Sequence, residues 1–128
     1  MNFSKLFVTP ALVLLLAVGV LGSGAKPEKV IVKGYVLDSA CAFTKGLEKP
    51  ISRDCALLCA KNGSPLVILS DDGIIYLPIS EAPPPAVGQN EKLLPYAGNK
   101  VTVTGMSYDR RGSRAIVIEK IEPLPAGK

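Results

Sequence analysis

The sequence predicts a mainly β domain, a five-stranded OB-like barrel, on three observations. Five apolar, branched runs, at 30–37, 66–69, 74–79, 101–108 and 115–121, are separated by turn signals. A capped helical segment carrying two cysteines falls between the first and second runs, and a single helical turn falls between the third and fourth. A small internal echo joins the first and fourth runs: Val32-Lys33-Gly34 with Asp38 matches Val103-Thr104-Gly105 with Asp109. Strands one and four are neighbours in an OB-type barrel, and glycines in both would supply the sharp coil each needs.

In chain order, residues 1–25 come first. Lys5, an apolar run from Leu6 to Leu21 and the small residues Gly22, Ser23, Gly24 and Ala25 give the layout of a secretory signal peptide, cut after Ala25. The run is interrupted by Thr9 and Pro10 and is short for a membrane span of about 20 residues. No stable span is therefore expected after cleavage. Cleavage leaves 103 of the 128 residues, and with Lys5 removed the net charge is +3 (14 basic and 11 acidic). That suffices for one small core, and it is too little charge to argue for a polyanion partner.

Residues 26–29 form a charged connector, and residues 30–122 form the OB-like domain. Residues 38–51, with Asp38, Ser39, Gly46 and Pro50, read as an irregular loop. Ser52 reads as an N-cap, with Ile51 before it as a staple residue and Asp54 in the first turn. The helix Arg53–Lys61 follows, about two and a half turns long. Asn62-Gly63 and Pro65 stop it. Asp72-Gly73 between two branched runs marks a hairpin. Residues 80–90, with Pro83, Pro84 and Pro85, form a stiff loop, and Glu91–Leu94 a helical turn. The last hairpin turns at residues 109–112, and residues 123–128 read as a loose tail.

All three cysteines lie between Cys41 and Cys59, spaced C-x13-C-x3-C. Cys55 and Cys59 share a helix face, yet i and i+4 Cβ atoms stand about 5–6 Å apart, and a disulfide wants about 3.5–4.5 Å. The expected pairing is therefore Cys41 with Cys55 or Cys59, which pins the loop and helix. Closing some 15–20 residues is worth about 3 kcal/mol in the chain-entropy model. The alternative is a three-thiolate pocket for copper(I) or zinc, with Asp38 or Asp54 to complete it. A thiol-redox site is a further alternative, since Cys55 lies in the first helical turn beside Arg53.

The runs G-Y-V-L-D-S-A-C (34–41), C-A-L-L-C-A-K-N-G-S-P-L-V (55–67), D-D-G-I-I-Y (71–76) and A-G-N-K-V-T-V-T-G (97–105) carry a resemblance. They are similar to small exported bacterial proteins of unassigned function with a three-cysteine motif in an OB-like barrel. In similar sequences a histidine often stands three residues before the second cysteine. Here that position is Ser52, which suits a cap rather than a soft-metal ligand.

Arg110, Arg111 and Arg114 cluster at the final hairpin, a candidate anion-binding site, with Tyr35, Tyr76 and Tyr108 as candidate stacking residues. Export makes an anionic lipid or envelope polymer a more sensible target there than nucleic acid. With no histidine, no G-x-S-x-G and no phosphate-binding glycine loop, the chain reads as a non-enzyme. The expectation is an exported (periplasmic or secreted), monomeric binding or interaction module. Its ligand or envelope partner is unassigned, and it carries no cofactor unless the thiols take up copper or zinc.

Overall fold

A computed structural model describes residues 25–45, 52–82 and 87–125. The leader segment, Ile51 and the proline run lie outside the described residues, apart from Ala25. Each predicted run is a strand: β1 (Glu28–Asp38), β2 (Leu66–Ser70), β3 (Ile75–Pro78), β4 (Lys100–Arg110) and β5 (Ser113–Pro123). They close as β1-β2-β3-β5-β4, with β4 returning to β1. Only β3 and β5 run parallel. This is the OB-type connectivity expected from the order of elements.

Closure explains the two glycines. Val30 lies opposite Gly105 and Gly34 opposite Val101 in the β1–β4 ladder. A Cβ on Gly34 would stand 2.1 Å from the Leu69 carbonyl oxygen, and one on Gly105 would stand 2.1 Å from that of Val117. Neither contact is possible for a side chain, so both positions let neighbouring backbone approach at a coil in the barrel wall. A register shift between Thr104 and Gly105 marks the bend in β4.

Alternation sorts the side chains. Val32, Val36, Leu66, Ile68, Val101, Val103 and Ile116 fill the interior, and Leu93 from α3 (Asn90–Leu93) seals one end. A 3-10 turn, Leu94–Tyr96, continues α3. On the outer face, Leu37 and Val67 pack with Ala42 in a second cluster. Strands β1 and β2 are thus apolar on both faces where they pair Leu37 with Val67.

That second cluster is where the structure departs from the sequence reading. Residues 39–44, expected as irregular loop, form a helix, α1 (Ser39–Thr44), lying on the outer face of β1 and β2. Its cap is Asp38, whose Oδ2 accepts from the Cys41 backbone N–H at 3.0 Å. β1 also absorbs Glu28 and Lys29, read as connector. The tail is held as far as Leu124, whose N–H donates to the Lys100 carbonyl at 2.8 Å. The second helix, α2 (Arg53–Lys61), matches its expected span, with Ser52 Oγ accepting from the Cys55 N–H.

Candidate metal centre

Three backbone features aim the cysteines at one point. β1 runs straight into α1, so Asp38 is both the last strand residue and the helix cap, fully buried. Cys41, three residues on, is buried under the first turn of α1. Helix α2 presents Cys55 and Cys59 one turn apart and half-buried, beside Ala56 and Ala60, whose small side chains let it approach the barrel closely.

The start of α2 is anchored from outside. Arg53 Nη1 donates to the carbonyls of Pro95 and Ala97 at 3.2 and 3.0 Å. Gly98 backs onto Arg53 so tightly that a Cβ would fall 2.6 Å from the Arg53 Cα. Arg53, expected to favour a Cys55 thiolate, is committed to that docking. The start of β2 is fixed by Asn90, whose Oδ1 accepts from the Leu66 N–H and whose Nδ2 donates to the Ser64 carbonyl. Ser64 Oγ in turn donates to Asp38 Oδ2 at 3.5 Å.

The outcome is a four-residue cluster: one oxygen of Asp38 and the Sγ atoms of Cys41, Cys55 and Cys59 all lie within 4.8 Å of one another. Cys41 Sγ and Cys55 Sγ stand 4.0 Å apart. In place of the expected disulfide, all three cysteines are free thiols. The distance is twice the S–S bond of about 2.05 Å. It is close to the edge of a zinc tetrahedron: thiolates about 2.3 Å from the ion stand about 3.8 Å apart. Asp54, the other candidate fourth ligand, is exposed in the first turn of α2 and outside the cluster.

Electrostatics sharpen the picture. Asp38 Oδ2 has two donors, yet Oδ1 is buried with no hydrogen-bond partner among the described residues. A buried carboxylate oxygen without a partner is costly, and the cluster offers it only sulfur. Burial first, then the neighbouring Asp38 and Cys55, pushes the Cys41 thiol up from 9.0 to about 12. Cys59 is raised as well, by burial first and then by the charges of Asp38 and Cys55. Thiols and a carboxylate gathered away from water resist ionising together unless a cation joins them.

The hairpin arginines do not form a uniform basic face. Arg114, on β5, bonds Asp109 Oδ2 through Nε at 3.0 Å and donates from Nη1 to the Tyr76 hydroxyl. Arg111 sits in the turn with φ 53°, and Arg110 ends β4. Tyr76, expected as a stacking residue, is buried in the barrel interior and presents no face to a ligand. Tyr35 has Lys100 over its ring, and the Tyr108 hydroxyl donates to Glu81. The three tyrosines therefore build no common platform.

Asp38 is the residue that sequence reasoning placed in the right company without its role. The signal was present: Asp38 precedes Ser-Ala-Cys-Ala, a helix start that capping chemistry reads directly. Compared with family models, with curated proteins and with solved structures, the chain matches none.

Proposed function

We propose that this protein is a binding module in which a zinc ion, held by Asp38, Cys41, Cys55 and Cys59, ties the helical insertion to the barrel. The carrying observation is that the four donor atoms lie within 4.8 Å of one another, and that Asp38, one of the four residues, keeps a buried oxygen with no hydrogen-bond partner among the described residues. A set of three sulfurs and one oxygen suits zinc, which accepts both donor types in tetrahedral sites. Copper(I) would prefer the thiolates alone.

Four protein ligands close the coordination sphere, which favours a structural staple over a catalytic ion. The ion takes the pinning role that a disulfide would otherwise have. Its two positive charges offset half of the four negative charges that three thiolates and a carboxylate carry, and it gives the Asp38 carboxylate a further partner. The reading is of a binding protein and not an enzyme, since the chain has no histidine for general-base work. We further read residues 1–25 as an export leader, so the site would load in the envelope or outside the cell.

The test is metal analysis of reduced protein supplied with zinc, paired with cobalt(II) substitution. One zinc per chain, thiolate-to-cobalt charge-transfer bands and thiols alkylated only after chelation are expected. Protein that takes up no metal and carries a Cys41–Cys55 or Cys41–Cys59 disulfide would overturn the proposal. Uptake of copper(I) by the three thiolates, indifferent to Asp38→Asn, would replace zinc by the softer ion.

A further inference from the structure

A second feature lies on the other side of α1. The outer face of β2, β3 and β5 forms an open trough of about 860 Å³. Val67, Ile75, Leu77 and Ala115 form its floor, and Phe43 of α1 stands at its edge. Leu77 and Phe43 are 45% and 75% exposed, two large apolar side chains facing water in one place. The size falls within the range of about 300–1,000 Å³ typical of small-ligand sites.

One end of the trough differs from the rest. Arg110, Arg114 and Tyr108 line it, where β4 meets β5. Arg114 is neutralised by Asp109, and Tyr108 is held by Glu81. Arg110 makes only carbonyl contacts among the described residues, from Nη1 to Asp109 at 2.8 Å and to Ala25 at 2.9 Å, the second of which goes with the leader on cleavage after Ala25. Among the described residues no carboxylate lies within ion-pair distance of it. Its remaining N–H groups present one uncompensated positive charge at the end of an apolar floor.

We propose that this trough binds a long-chain fatty carboxylate, its chain along β3 and its headgroup on Arg110. The aliphatic floor favours an alkyl chain over a base or a sugar, which would need stacking rings or more hydrogen-bonding groups. The strand edge open here is short: β3 pairs with β5 over Tyr76–Pro78 and with β2 over Ile75 and Tyr76, which leaves Leu77 and Pro78 on one strand and Leu66 and Val67 on the other, too little ladder for an extended peptide to join. A single guanidinium matches a monoanion through two parallel bonds. Asp109 and Glu81 beside it disfavour a headgroup of higher charge. This inference does not require the metal: floor and arginine belong to the barrel, and only Ser39 and Phe43 of the lining belong to the stapled insertion.

The experiment is titration of the zinc-supplemented protein with laurate below its micelle concentration. Calorimetry and amide NMR shifts would be read against dodecyltrimethylammonium, a chain of the same length and opposite charge. Saturable one-to-one binding of laurate is expected, with the cationic chain weaker by about tenfold or more. Leu77→Glu and Phe43→Ser, both at exposed positions, should each weaken laurate several-fold with the amide spectrum otherwise kept. Arg110→Gln should remove the preference between the two chains. No saturable binding, equal binding of both chains, or binding that ignores Leu77→Glu and Phe43→Ser would overturn the assignment. Because Asp38→Asn leaves floor and Arg110 in place, it should retain laurate binding even where metal is lost.

Discussion

Asp38 caps a helix and also faces three sulfurs, and the two roles can be separated. Asp38→Ala removes the cap to the Cys41 N–H, a loss of about 0.5–2 kcal/mol. It also removes a buried carboxylate oxygen that has no partner, which relieves about 1–3 kcal/mol. In metal-free protein these oppose, so the net change is expected to lie between about 1 kcal/mol of loss and about 2.5 kcal/mol of gain. With zinc the balance tilts. If losing one of four ligands weakens zinc a hundredfold, and wild type is held at a hundred times its Kd, about 2.3 kcal/mol of linked stability disappears. Asp38→Asn keeps a capping oxygen but surrenders the charge, so it should resemble wild type without zinc and Asp38→Ala with it. The assay is urea unfolding of the three proteins, each with a chelator and with buffered zinc. An equal loss in both conditions would make Asp38 a cap and nothing more.

Other consequences follow from the same contacts. Gly34→Ala and Gly105→Ala each drive a methyl into a backbone carbonyl at 2.1 Å, and each should cost at least about 2 kcal/mol in urea unfolding, whereas Gly88→Ala, with open space around it, should stay within about 0.5 kcal/mol. Ser52→Ala should cost about 1 kcal/mol by removing the bond to the Cys55 N–H, read in the same way. In metal-free protein Cys41 keeps its proton to about pH 12 folded, against an ordinary value of 9.0. On raising the pH the unfolded chain releases that proton first. The thiol's contribution is therefore whole below about pH 9 and is lost as the pH rises toward about 12. Unfolding measured across that window should decline less steeply in Cys41→Ser than in wild type. N-terminal sequencing of protein exported by a bacterial host should begin at Lys26, and a chain still starting at Met1 would contradict the leader.

Much of the barrel was legible because strand signals here are local. Branched runs, Asp72-Gly73 and the glycines at 34 and 105 each carry their own instruction. Helix α2 was equally readable, since Ser52, Asp54 and Asn62-Gly63 punctuate it at both ends. Helix α1 was not read, because six residues make too little periodicity and Asp38 follows a strand without a break. The cysteine cluster is visible as a motif, and its fourth member is narrowed to two candidates without a choice between them. Asp38 and Asp54 are equivalent in a one-dimensional string, and only the turn from β1 into α1 buries the first and leaves the second in water. The role of Tyr76 was misread for a related reason: alternation along β3 sends it inward, and four residues of strand give that alternation little weight.

X-ray absorption at the zinc edge of the loaded, reduced protein tests the staple most directly. Three sulfur neighbours at about 2.3 Å and one oxygen at about 2.0–2.2 Å are expected, the oxygen shell changing in Asp38→Asn. A shell of nitrogen and oxygen alone, or one blind to that substitution, would contradict it.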